Sequence, residues 1–137
     1  MASKAKAEKS GEVLEVLEIN GKSYDLYIGF AFIREIDKRH QEEIGSASFG
    51  IGIGMLNWML EQRNPIGLLD FIQCATITEK QKPSIADIEK QIDIWYSQGD
   101  DVLDGMYENF TKRLERSSMT GPTIKLYRQE ANSVTDN

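Results

Sequence analysis

Val13-Leu14-Glu15-Val16-Leu17-Glu18-Ile19-Asn20-Gly21-Lys22-Ser23-Tyr24-Asp25-Leu26-Tyr27-Ile28 is the stretch on which the fold turns. Apolar residues are interleaved with acidic ones up to Ile19, and Tyr24, Leu26 and Ile28 continue at period two. Between the two runs lies Asn20-Gly21. A two-residue turn that matches the twist of its strands needs positive φ at both positions, and Asn-Gly accepts this at least cost. The stretch therefore predicts an antiparallel β-hairpin over about Val13–Ile28.

From Phe30 the period changes. Phe32, Ile33 and Ile36 share one helical face, with Arg34, Glu35, Lys38 and Arg39 on the others. Residues 41–54 are looser and carry Gly45, Gly50, Gly52 and Gly54. A second helix is expected over Met55–Gln62, stopping at Asn64 because a residue before proline resists α geometry. Pro65 suits the first turn of the next helix, Ile66–Ala75, which is apolar nearly all round and so the most buried. Ser84 is an N-cap candidate, followed by the stripe Ile85, Ile88, Ile92 and Trp95. Gly99 separates that helix from one carrying Val102, Leu103, Met106, Phe110 and Leu114.

The fold class is thus α+β, mainly α: an N-terminal β-hairpin followed by four or five packed helices. Residues 1–12 read as a disordered leader, 13–117 as the folded domain and 118–137 as a flexible C-terminal tail beyond a Gly121-Pro122 break.

The 137 residues suit one domain, and no apolar run approaches the roughly 20 residues of a membrane span. Met1 to Ser10 is rich in Lys and Ala, with no apolar stretch, and does not read as a secretory signal. The lone Cys74 closes no intramolecular disulfide, which fits a reducing compartment. Residues 11–111 hold 18 acids against 8 bases, whereas 112–128 hold five bases against Glu115. An acidic body argues against nucleic-acid binding, since phosphate contacts need clustered Lys and Arg. The basic segment suits the negative end of a helix.

Chemistry finds little footing. Gly50, Gly52 and Gly54 do not make a dinucleotide loop, whose third glycine would fall at Met55 or Asn57. Asp100, Asp101, Asp104 and Glu108 are dense but fit helix capping and solvation. His40 lies in a charged helix end with no nucleophile motif, and Cys74 lies in the most apolar helix. No catalytic set, metal site or cofactor is expected, so the chain reads as a binding protein rather than an enzyme. The candidate contacts are large and adaptable side chains: Trp58 with Met59, and Trp95 with Tyr96.

One order of motifs is more specific. It runs Ile19-Asn20-Gly21-Lys22-Ser23-Tyr24-Asp25-Leu26, then Gly29-Phe30 and Phe32-Ile33-Arg34-Glu35-Ile36-Asp37-Lys38. Asn64-Pro65 follows with Leu69-Asp70 and Ile72, then Ala75-Thr76 with Thr78-Glu79-Lys80. Pro83-Ser84 and Ile88-Glu89 with Ile92 close it. In this order, over a little more than half the chain, the motifs resemble the tail assembly chaperones of siphophages and related prophages of Gram-positive bacteria.

The resemblance implies a protein that binds the long, helical, aggregation-prone tape measure protein and keeps it soluble. It implies help for the tail tube protein in polymerising around that partner. Short and frameshift-extended forms, a homo-oligomer, work in the host bacterial cytoplasm and absence from the mature virion are further implications. No nucleic acid and no membrane is expected among the partners. A different class stays open as the alternative: an acidic phage-encoded inhibitor that mimics DNA and binds a host protein. The interspersed Lys22, Arg34, Lys38 and Lys90 speak against it.

Overall fold

The computed structural model describes residues 15–44 and 47–135, with side chains described for 15–41 and 51–129. The expected leader at 1–12, and Val13 and Leu14 of the expected hairpin, lie outside the described residues.

Asn20 and Gly21 adopt φ of 52° and 78°, as the two-residue turn requires. They join β1 (Val16–Ile19) to β2 (Lys22–Asp25) in antiparallel register, with Leu17 opposite Tyr24 and Ile19 opposite Lys22. One further ladder bond runs from Leu26 N to Glu15 O at 2.8 Å. The strands are shorter than the alternation, which nevertheless holds for burial: Leu17, Ile19, Tyr24, Leu26 and Ile28 are all buried. Much later in the chain Arg113 donates to Leu26 O, tying the end of the hairpin to a late helix.

Helix α1 (Phe30–Arg39) buries Phe32 and Ile36, one turn apart. A second hairpin follows, β3 (Gln41–Ile44) with β4 (Ala47–Gly50), Gln41 opposite Gly50. The sequence signals no strand here, because Gln41-Glu42-Glu43-Ile44 lacks alternation. Helix α2 (Gly52–Glu61) then starts earlier than its apolar pattern suggests.

Helix α3 (Pro65–Ala75) has Asn64 as its cap, whose side chain accepts from Ile66 N at 2.9 Å, and Pro65 in its first turn. It buries Leu68, Phe71, Ile72, Cys74 and Ala75. Helix α4 (Ile85–Ser97) is capped by Ser84, whose hydroxyl accepts from Asp87 N at 3.0 Å. It buries Ile88, Ile92 and Trp95 but leaves Ile85 exposed. Gly99 turns the chain at φ 109°, and α5 (Asp100–Arg116) buries Tyr107, Phe110 and Leu114, with Val102 outside. The five helices between Phe30 and Ser117 fall within the expected number.

Residues 118–137, expected as a flexible tail, contain a sixth helix, α6 (Gly121–Thr135). Gly121-Pro122 starts this helix instead of breaking the chain: proline fits a first helical turn, where no N–H is needed. The corner before it is well tied. Thr120 is fully buried, its hydroxyl donates to Leu114 O at 2.6 Å, and Gly121 N donates to Ser117 O at 2.8 Å.

Four rings from four helices form the centre of the core. Phe71 of α3 stacks on Phe110 of α5 at 4.3 Å between centroids, Phe32 of α1 meets Phe71 edge-on at 5.6 Å, and Trp95 of α4 meets Phe110 edge-on at 6.4 Å.

Candidate partner-binding surface

Successive residues on a helix point about 100° apart. The two candidate pairs are accordingly split by the structure. Trp58 is 56% exposed while Met59 is 6% exposed, and Tyr96 is 42% exposed while Trp95 is 7%. Met59 and Trp95 belong to the core; Trp58 and Tyr96 face outward, on different helices. The Tyr96 hydroxyl is engaged, at 2.8 Å from that of the buried Tyr107. Burial, first, and this hydrogen bond push the Tyr107 phenol well above its usual value. The Arg63 guanidinium lies 5.2 Å from the centre of the Tyr107 ring and bonds Asp104 at 3.2 Å. Further exposed rings lie at the α1 start, where Tyr27 and Phe30 are 59% and 67% exposed and Arg34 covers Phe30.

Trp58 lies next to a feature that no single motif announces. Gly54, one turn earlier in α2, has no side chain, and the Tyr127 ring of α6 occupies the space a Cβ would fill. Beside it Arg128 forms an ion pair with Glu115 of α5. Helix α6 thus bridges α2 and α5, with Ile124 as its one fully buried residue among those described. The same two helices continue into an open groove of about 330 Å³ lined by Glu61, Arg63, Glu108, Thr111, Lys112 and Glu115. The spacing Ile124-x-x-Tyr127 would mark a helix face in the sequence, but the preceding Gly-Pro read as a stop.

The remaining reactive groups serve the fold. Asp70, nearly buried, accepts from Arg39 at 3.0 Å and lies 3.1 Å from His40 Nε2, and Arg39 also donates to Gln73 at 2.7 Å. This clamps the end of α1 to α3. Cys74, one turn beyond Asp70, is fully buried, and that burial pushes its thiol up to about 12. A neutral thiol is no nucleophile. Among the described residues no group of three or more His, Cys, Asp or Glu is placed to hold a metal ion. No described helix is long and apolar enough to cross a membrane.

The family model described as phage tail assembly chaperone protein, TAC, matches residues 16–128. The chain belongs to this phage tail assembly chaperone family. The match begins with β1 and runs through α6 as far as Arg128, so it takes in the helix beyond Ser117. No curated protein and no solved structure matches the chain. A chaperone family implies a non-catalytic role and partners among phage tail proteins.

Proposed function

We propose that this chain binds the tape measure protein, keeps it soluble and promotes assembly of the tail tube around it, without catalysing a reaction. The observation that carries this reading is Trp58, a large ring more than half exposed on a tail assembly chaperone. Apolar rings of this kind supply most of the energy where a partner covers them. Around them lies an acidic body, which resists aggregation of the chaperone itself. A long helical partner offers repeated apolar stripes, and several copies along it gain avidity.

The tail tube protein and a frameshift-extended form of the chain are the further partners in this reading. The work is done in the host bacterial cytoplasm, and the chain is left out of the mature virion. The test is co-expression with the tape measure protein of the same phage, reading the soluble fraction of that partner with and without the chaperone. An unchanged soluble fraction would overturn the proposal.

A further inference from the structure

Helix α6 sits where a second helix would fit. On α2, Gly54, Trp58 and Glu61 are spaced four and three apart and share one face. On α5, Glu108, Thr111, Lys112 and Glu115 likewise share one. Tyr127 and Arg128, adjacent in α6, touch Gly54 and Glu115 respectively, which places those two ends together. Glu61 and Glu108 both line the open groove at the other end. One trough therefore runs between α2 and α5. Helix α6 covers the Gly54 end, and the Glu61 end stands open.

We propose that this trough is a helix-binding site that α6 occupies within its own chain, and that an amphipathic basic helix of the partner takes its place. The inference rests on the function proposed above for the identity of that partner. What the trough accepts can be read from its occupant. An aliphatic side chain (Ile124) is buried, an aromatic ring three residues on lies over a bare glycine, and a cation four residues on meets a carboxylate. Once Arg128 leaves Glu115, the trough carries Glu61, Glu108 and Glu115 against Arg63 and Lys112, an excess of one acid that favours a cation on the incoming helix at the place Arg128 vacates.

Among the described residues of α6 only Ile124 is fully buried, so one core side chain and two exposed contacts hold the helix in place. Tyr127 remains 41% exposed, and the partners of the Arg128–Glu115 pair are 43% and 36% exposed, where an ion pair contributes little. The corner at Ser117–Gly121 is fastened by its own hydrogen bonds, so release of α6 leaves α5 and the aromatic core in place. Exchange of a cis helix for a trans helix lowers the apparent affinity by the fraction of time the cis helix is seated.

The test uses the full chain and a fluorescent peptide of residues 119–135, with binding read by anisotropy. Replacing Tyr127→Ala with Arg128→Ala loosens the cis helix at two exposed positions. Peptide binding is expected to tighten at least tenfold over the unsubstituted chain, and Gly54→Leu, which fills the seat, to abolish it. Helical segments of the tape measure protein are expected to displace the peptide. No binding to the loosened chain, with a cooperative melt retained, overturns the inference; Tyr127→Ala alone serves if the double variant melts without cooperativity. Peptide binding that no tape measure segment displaces also overturns it. That last result leaves the chaperone reading intact, since soluble yield on co-expression judges it separately.

Discussion

Gly52, at the start of α2, lies directly against the backbone carbonyl of Ile36 in α1, and a Cβ there would overlap main-chain atoms of Ile36 and Asp37. The approach is fastened by a hydrogen bond from Gly52 N to Asp37 Oδ1 at 2.9 Å. This contact brings two helices together at main-chain distance, a distance that only glycine permits.

Gly52→Ala is expected to destabilise the fold by about 1–3 kcal/mol, the usual cost of forcing atoms into a filled site. Gly54→Ala, two residues on, meets only the movable ring of Tyr127. It should be neutral or gain up to about 1 kcal/mol from helix propensity. Denaturant midpoints for the two variants check this, and equal losses would contradict it.

Phe71 joins the stacked and edge-on rings of the core, and Trp58 stands outside it. Phe71→Ala should cost about 3–5 kcal/mol. Trp58→Ala should stay within about 0.5 kcal/mol of the parent chain. A comparable loss for both would mean that Trp58 packs as core.

Arg63 holds φ 57°, a left-handed position that usually falls to glycine at a helix end. Its side chain compensates through the Tyr107 ring and Asp104. Arg63→Ala keeps the backbone strain and loses these contacts together with the hydrogen bond to Leu60 O, for an expected loss of about 1 kcal/mol. Arg63→Gly relieves the strain and should be the milder change, by about 1 kcal/mol. A thermal melt that ranks them in reverse order would contradict this.

The Cys74 thiol is pushed up from 9.0 to about 12 by burial. In the unfolded chain the thiol loses its proton near its ordinary value, while the folded chain still holds it. Stability should therefore be full below about pH 9 and fall as pH rises toward 12. Tyr107, also raised by burial, adds to the fall from about pH 10 upward. Cys74→Ala should flatten the lower part of that decline and Tyr107→Phe the upper. Equilibrium unfolding between pH 8 and 11 tests both, and unchanged slopes would contradict the account.

The parts of the fold legible in the sequence are those written in local chemistry. Asn20-Gly21 dictates its turn, Asn64-Pro65 and Ser84 mark helix starts, and the apolar α3 is as buried as its composition requires. What stayed hidden depends on contacts between distant residues. Helix α6 was obscured because Gly121-Pro122 serves equally as a stop and a start, and only the buried corner at Thr120 decides between them. The apolar stripe of α5 runs through Tyr107, whose hydroxyl finds Tyr96; a tyrosine reads as ambiguous until that partner is known. At the candidate surface, residue type singled out Trp58 and Tyr96 together with their buried neighbours Met59 and Trp95, because size and adaptability do not tell which of two adjacent helical residues faces outward. The glycine seat for Tyr127 rests on a missing side chain, which leaves no local signal.

Binding and solubilisation of the tape measure protein is the central claim, and its most direct measurement is the soluble fraction of that protein when co-expressed with the full chain or with Trp58→Ala. The full chain should raise the soluble fraction severalfold, and Trp58→Ala, with its melt intact, should lose a large part of the gain. Addition of about 0.5 M salt should leave the complex largely intact, since screening acts on exposed charges far more than on buried apolar contact. A tape measure protein that stays insoluble in the presence of the full, folded chain would contradict the account.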